Sequence, residues 1–100
     1  MSKELFCTIW NNGFDGWGIR VRSKNRRYFD RSRPTVTVEL DGKDHEFNLS
    51  DTFWTTCPEF RGKAIREWLQ HHKINRENKT NYAVILSLTN EKFKARLMKK

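Results

Sequence analysis

The segment TVTVELDGKDHEFNL, residues 35–49, has the pattern of a β-hairpin and constrains the fold more than any other part of the chain. Apolar and polar residues alternate on both sides of Asp41-Gly42, as in two half-buried strands. Asp-Gly is a favoured two-residue turn because both residues tolerate a positive φ. This turn sets a register with two pairs on the same face: Val36 opposite Phe47 and Val38 opposite His45. One face of the hairpin is therefore mostly apolar and needs a core to cover it.

Four other segments show the same two-residue period and predict strands. They are residues 4–10, 17–21, 82–88 and 92–97. The segment 82–88 is apolar on both faces, so we expect its strand near the centre of the sheet. Two shorter segments follow the second strand: SKNRR (23–27) predicts a loop, and YFD (28–30) predicts a short additional strand.

Helical periodicity is found in one long stretch and predicts a helix near 58–72. The residues Thr56-Cys57-Pro58-Glu59 match a capping box, with Thr56 as the N-cap residue. The apolar residues that follow have spacings that place them on one face: Phe60, Ala64, Ile65, Trp68 and Leu69. We expect the last three of these to be buried.

The order of these elements predicts an α+β fold with a mostly antiparallel sheet. We expect about five to seven strands, in a sheet that is open or partly closed into a barrel, and one main helix that covers a face or plugs an end. One hundred residues can bury one core, so residues 1–100 are expected to form a single compact domain. Seven Phe and four Trp can fill much of that core.

The composition disfavours some classes of protein and favours a polyanionic partner. No stretch approaches the roughly 20 apolar residues of a membrane span, and the first residues lack the pattern of a secretion signal. We therefore expect a cytoplasmic protein with no membrane partner, in which Cys7 and Cys57 are free thiols. The histidines are scattered and no paired-cysteine motif is present, so no metal or other cofactor is expected. The net charge of +8 suits nucleic acid.

The positive charge is concentrated in WGIRVRSKNRRYFDRSR, residues 17–33, which we call the basic segment. It contains seven cations and one acid, Asp30, and six of the cations are arginines. Arginine offers a planar fork for phosphate and guanine and stacks on bases, so solubility alone does not explain this excess. A second set of cations alternates along the last predicted strand: Lys92, Lys94 and Arg96. If the two strands are neighbours, their cations form one continuous surface for phosphates.

We therefore predict a nucleic-acid interface made of the strand and the loop of the basic segment. Its candidate contact residues are Arg20, Arg22, Lys24, Asn25, Arg26, Arg27, Arg31, Arg33 and Trp17. Asn11 and Asn12 are further candidates to read base edges, and Trp10 and Trp17 flank a turn and are expected to be exposed for stacking. DNA is slightly favoured over RNA because the aromatic pattern of RNA-stacking sheets is missing.

Three other interpretations of the sequence stay open. The basic segment can be a solvated edge whose charges prevent strands of different molecules from pairing. The chain can be a protein-interaction module, such as a small inhibitor or an assembly factor, that binds a protein partner through its acidic segment 39–59 or through the aromatic loop at residues 11–16. Glu39 and Asp41, with Asp30 upstream, are a weak candidate for the Mg²⁺ site of a metal-dependent nuclease. No catalytic residue is predicted, and we expect a binding protein rather than an enzyme.

Overall fold

Seven strands form one sheet in the computed structural model, which describes residues 3–90 and 92–100. The strands are β1 (Lys3–Asn11), β2 (Trp17–Arg20), β3 (Thr35–Leu40), β4 (Lys43–Asn48), β5 (Glu59–Arg61), β6 (Tyr82–Thr89) and β7 (Lys92–Lys99). They lie in the order β4-β3-β7-β6-β1-β2-β5, and all neighbours are antiparallel except β3 and β7. The remaining elements are the helices α1 (Asp51–Thr55) and α2 (Lys63–His71) and the 3₁₀ turns Ser23–Tyr28 and Lys79–Asn81.

The sheet curls so that its two edge strands, β4 and β5, approach each other. The rings of Phe47 on β4 and Phe60 on β5 have centroids 5.4 Å apart. Gly62 directly follows β5, and a Cβ atom at this position would lie 3.1 Å from the Phe47 ring. The sheet is therefore a nearly closed barrel, and the predicted α+β fold with a mostly antiparallel sheet is confirmed.

Alternate residues of the strands face the interior of the barrel, and large rings fill it. Phe29, just after the first 3₁₀ turn, stacks on Phe93 of β7 at 4.7 Å and packs edge-on against Phe53 of α1 at 5.0 Å. Phe53 and Phe60 are fully buried. Because each such ring buries on the order of 150–250 Å², a few aromatic side chains suffice for the core of a small barrel.

The hairpin predicted from the Asp-Gly turn is confirmed as β3 and β4. The predicted pairs are present: Val36 with Phe47 and Val38 with His45. Asp41 and Gly42 have φ angles of 51° and 85°, as a two-residue turn of this type requires. The other four predicted strands are also present as β1, β2, β6 and β7. The central position expected for β6 is confirmed, since it lies between β7 and β1.

The helix predicted near 58–72 is present but begins later than expected. Residues Glu59–Arg61 form β5, and α2 begins at Lys63 with Gly62, rather than Thr56, as its N-cap residue. Pairing with β2 explains the difference, because the backbone of this segment bonds to a neighbouring strand instead of to its own turn. The buried face of α2 is as predicted: Ile65, Trp68 and Leu69.

Two short segments near the basic residues also differ from the prediction. Residues 23–27, expected as a loop, belong to the 3₁₀ turn Ser23–Tyr28, and residues 28–30 do not form a strand. The N–H of Phe29 donates to the carbonyl of Arg26 at 3.0 Å, which closes the turn and directs the Phe29 ring into the core. Helix α1 was not predicted, because five residues are too few to show a helical period.

Asp41, at the tip of the β3–β4 hairpin, connects this hairpin to α2. Trp68 Nε1 donates to Asp41 Oδ1 at 3.2 Å, and His72 Nε2 lies 2.8 Å from Asp41 Oδ2. Burial raises the pKa of the Asp41 carboxyl, but the hydrogen bonds from His72 and Trp68 outweigh this effect and hold the pKa below its ordinary value of 3.8. The carboxylate therefore stabilises the contact between hairpin and helix only while it is ionised.

We expect Asp41→Asn to remove an acid-sensitive part of the folding stability. A carboxyl with a lowered pKa in the folded chain stabilises the fold above its ordinary pKa of 3.8, and this contribution is lost as the pH falls through the folded pKa. Asparagine tolerates the positive φ and keeps an acceptor for Trp68, but it carries no charge for His72. At neutral pH the variant should melt a few degrees lower at most, because the pair is half exposed. The two melting curves should converge in acid, and a constant difference at every pH would contradict this role.

Candidate nucleic-acid interface

The cations of β7 do not join those of β2, because β6 and β1 lie between these strands. Three cations of β7 instead face carboxylates of other strands: Lys92 lies 2.9 Å from Asp44 and 3.3 Å from Glu39, Lys94 lies 3.8 Å from Glu39, and Arg96 lies 3.3 Å from Glu4. The hydrogen bonds to Asp44 and Glu39 also raise the pKa of Lys92. The expected continuous basic surface across the two strands does not form, and the charge of β7 is largely compensated.

The cations of the basic segment have far fewer carboxylate partners. Within residues 3–90 and 92–100, Arg20 pairs with Glu59 at 2.9 Å and Arg33 pairs with Asp30 at 3.5 Å. The segment's other cations form no ion pair with a carboxylate of these described residues: Arg22, Lys24, Arg26, Arg27 and Arg31. Uncompensated positive charge is therefore concentrated at the end of β2 and in the turn that follows it.

A groove at the end of β2 brings two of the arginines together with hydroxyl groups. This groove, which we call the basic groove, has a volume of about 420 Å³ and is lined by Thr8, Arg20, Val21, Arg22, Ser23, Thr56, Cys57 and Pro58. It forms because the N–H of Val21 donates to the carbonyl of Pro58 at 2.8 Å, which holds the α1–β5 loop against the end of β2. Guanidinium and hydroxyl donors that line one groove are a donor set that suits a phosphate group.

Glu59 holds Arg20 in a defined orientation at one side of the basic groove. Arg20 donates from Nε and Nη2 to Glu59 Oε2, at 3.1 and 2.9 Å. An arginine has further N–H donors on Nη1, and in the described part of the chain this group has no hydrogen-bond partner. The Arg20 side chain is half exposed, so the ion pair positions the guanidinium more than it stabilises the fold.

Three of the predicted contact residues are turned toward the interior. Trp17 and Asn25 are each 8% exposed, so the exposure expected for Trp17 is not found. Arg26 donates from Nε to the carbonyl of Phe53 at 2.6 Å, and its Nη2 is buried without a partner among the described residues. A 3₁₀ turn has about three residues per turn, so Asn25 returns to the barrel side while Lys24 and Arg27 point to solvent. The hydrogen bond from Arg26 to the Phe53 carbonyl fastens this turn to α1.

The remaining predicted arginines lie beside aromatic rings. The guanidinium of Arg27 lies 5.0 Å from the ring centre of Tyr28, and that of Arg31 lies 5.3 Å from the ring centre of Trp54. Arg31 and Arg33 also line a second groove of about 470 Å³, next to Trp54. Arg27 also donates from Nη2 to the Tyr28 hydroxyl at 3.0 Å, so the ring and its hydroxyl orient this guanidinium and leave its other N–H groups for a ligand.

The carboxylates considered for a nuclease do not converge. Asp30 accepts hydrogen bonds from Ser32, Asp41 contacts α2, and Glu39 faces the cations of β7. Among the described residues, no three His, Cys, Asp or Glu side chains are arranged to hold a metal ion. Much of the acidic segment 39–59 is thus engaged in contacts within the fold.

Residues from distant segments also line the grooves near the basic segment, and the sequence does not reveal them. Thr8 of β1 and Thr56 of the α1–β5 loop line the basic groove. A further cluster of cations lines another groove at the start of α2: Arg61, Lys63 and Arg66. Both sets depend on the pairing of β5 with β2, and a three-residue strand has too short a pattern to be recognised in the sequence.

Comparisons with family models, with curated proteins and with solved structures give no significant match for this chain. No helix in the described residues has both the length and the apolar character needed to cross a bilayer. The fold and the site together define a nearly closed α+β barrel with a basic groove at the end of β2.

Proposed function

We propose that this protein is a nucleic-acid-binding domain, with DNA slightly favoured over RNA, and that the basic groove holds backbone phosphates. The supporting observation is the contrast in charge: Lys92, Lys94 and Arg96 of β7 face carboxylates, whereas most cations of the basic segment do not. Neutralising a phosphate releases counterions, and only a cation that is not already compensated contributes fully to this term. The proposed primary contacts are Arg22 and Lys24, together with the Nη1 group of Arg20, whose guanidinium Glu59 holds in place. Arg27, Arg31 and Arg33 extend these contacts along the nucleic-acid backbone.

The two tryptophans predicted to stack on bases, Trp10 and Trp17, do not support binding of a stacked single strand at the basic groove. Trp17 is buried, and the guanidinium of Arg61 covers Trp10 at 5.1 Å from its ring centre. Single-stranded nucleic acid is held by rings that are open for base stacking. Because neither tryptophan offers such a ring, phosphate contacts dominate the proposed interface.

We further propose binding without catalysis, in the cytoplasm. Support comes from the separation of the candidate carboxylates Glu39, Asp41 and Asp30, and from the free thiols of Cys7 and Cys57, which fit a reducing compartment. A protein partner has less support than nucleic acid, since the acidic segment is largely used in internal ion pairs.

Two double variants with the same change in charge test the phosphate contacts. Arg22→Gln with Lys24→Gln removes two uncompensated cations beside the basic groove, and Lys94→Gln with Arg96→Gln removes two compensated cations of β7. Fluorescence anisotropy with a short DNA duplex, a DNA single strand and an RNA duplex is measured across a salt series. The slope of log K against log salt should become shallower by about 1.8 for the first variant, since each lost contact removes about 0.9. It should change little for the second.

The β7 variant is the control for net charge, and melting temperatures confirm that both variants are folded. Equal changes in slope for the two variants would show that only total charge matters, and the basic groove would then have no special role. A wild-type protein that binds none of the three nucleic acids at low salt would refute the proposed function.

A further inference from the structure

The turn between β1 and β2 carries an apolar side chain that no part of the fold covers. Phe14 is 81% exposed, and Phe6, at 42%, is the only other large apolar side chain that is exposed in the described residues. A solvated phenylalanine ring gives nothing to the folded core, because its apolar surface stays in water. The Phe14 ring is therefore accessible for a contact outside the fold.

The turn holds Phe14 in one place before any ligand binds. Asn11 Nδ2 donates to the carbonyls of Phe14 and Gly16, at 3.0 and 2.9 Å. Asn12 Oδ1 accepts hydrogen bonds from the N–H groups of Phe14 and Gly16, at 2.8 and 3.1 Å. Arg76 donates to the carbonyl of Gly13 from the other side. The two asparagines, predicted to read bases, instead fix the turn, and this order reduces the entropic cost of using Phe14 in binding.

Cations surround this turn. The groove beside it, lined by Asp15, Gly16, Trp17, Arg61, Gly62, Lys63 and Arg66, has a volume of about 230 Å³. In the described part of the chain, none of its three cations forms an ion pair with a carboxylate. With Arg76 they make four positive charges around one acid, Asp15. This charge suits a polyanion and disfavours a basic or neutral protein surface.

Strand β2 connects the Phe14 turn to the basic groove. Arg22 lies six residues after Gly16, which spans about 20 Å at roughly 3.3 Å per residue of extended chain. Arg61 lies opposite Gly18 and Glu59 lies opposite Arg20 in the β2–β5 register, so Arg61 and Arg20 are on the same outer face. Phosphates held along this face bring the bases of the same duplex to the Phe14 turn.

We propose that Phe14 is a wedge that inserts between stacked base pairs of duplex DNA while the basic groove holds the phosphates. The inference rests on the proposed function and adds a contact to the bases themselves. Apolar side chains used in this way partly unstack a base step and kink the duplex, and neighbouring cations then contact the bent backbone. The Phe14 ring forms no hydrogen bond with a base edge, so it does not select a particular base. The expected targets are therefore base steps that unstack easily.

The bending of a DNA duplex on binding to the protein tests the wedge. The probe is a short DNA duplex that contains a pyrimidine–purine step and carries a fluorescence donor and acceptor at its ends. Wild type should raise the energy transfer between the ends. Phe14→Ala should bind about 5- to 100-fold more weakly, as loss of a stacked aromatic contact does, with the same salt slope and no change in energy transfer. Phe14→Leu, which keeps an apolar wedge, should retain most of the bending.

Cys57 provides an independent readout of whether DNA occupies the basic groove, because it lines that groove as a free thiol. Burial raises the pKa of the other thiol, Cys7, to about 12, against the opposing charge of Arg22, so alkylation at neutral pH reports on Cys57. DNA should protect Cys57 equally in wild type and Phe14→Ala when each is saturated. The wedge would be overturned if DNA protected Cys57 in both proteins, bound both with equal affinity and was bent by neither. The phosphate contacts of the basic groove would then still stand. Absence of both binding and protection would overturn the proposed function, and the wedge with it.

Discussion

Replacement of Trp68 by alanine is expected to lower the free energy of unfolding by about 3–5 kcal/mol. Trp68 is 5% exposed and lies on the buried face of α2. Its removal leaves a cavity beneath the helix and takes away the Nε1 donor that binds Asp41. In a domain of this size the loss corresponds to a melting temperature lower by roughly 10 °C or more, which is much of the margin of a typical fold.

Two variants separate packing from the hydrogen bond at this position. Trp68→Phe keeps a ring in the core but loses the N–H donor, so it should be intermediate in stability. Glu67→Ala changes an exposed neighbour on the same helix and should shift the free energy of unfolding by about 0.5 kcal/mol or less. Urea unfolding of the three variants measures these differences. If Trp68→Ala melted at the wild-type temperature, the assignment of Trp68 to the buried face of α2 would be wrong.

Phe53→Ala is expected to have an effect of similar size, about 3–5 kcal/mol, although Phe53 lies in a helix of only five residues. Its ring is fully buried, 5.0 Å from the ring of Phe29 and 4.9 Å from that of Trp54. A helix this short has no stability of its own, so this ring anchors α1 to the barrel. Its loss should also loosen the turn of the basic segment, since Arg26 bonds to the carbonyl of Phe53.

The matched control is Trp54→Ala, the next residue of the same helix. Trp54 is the larger side chain but is only partly buried, with Arg31 beside its ring. If burial rather than size determines the cost, Trp54→Ala should lose less than half as much stability as Phe53→Ala. Urea unfolding of the two variants gives this ratio, and a larger loss for Trp54→Ala would mean that α1 presents its other side to the core.

The strands and the hairpin could be predicted because their signals are local. Alternation over six to eight residues identified β3, β4 and β6, and Asp41-Gly42 specified a register that the structure reproduces. The start of α2 was predicted wrongly because a capping-box pattern and a short edge strand fit the same residues. Local sequence favours the helix, and the hydrogen bonds offered by β2 favour the strand.

The candidate site was predictable as a segment but not residue by residue. The concentration of arginine in residues 17–33 is visible in the sequence, and Arg20 and Arg22 do line one groove. The burial of Asn25 and the bond of Arg26 to α1 were not visible, because a 3₁₀ turn replaces the expected loop. The use of Asn11 and Asn12 to hold their own turn was not visible either, since the same residue types serve turns and base contacts.

By itself, the sequence determined which stretches are extended, where the hairpin turns, which face of α2 is buried and where positive charge is dense. These properties follow from side-chain periodicity and turn chemistry within a few neighbouring residues. Only the tertiary structure decided which charges are compensated. Carboxylates of Glu39, Asp44 and Glu4 meet the cations of β7 because the strand order places them there, and that order depends on contacts between residues far apart in the chain. The same long-range pairing leaves the end of β2 positively charged, since β6 and β1 separate it from most of those acids.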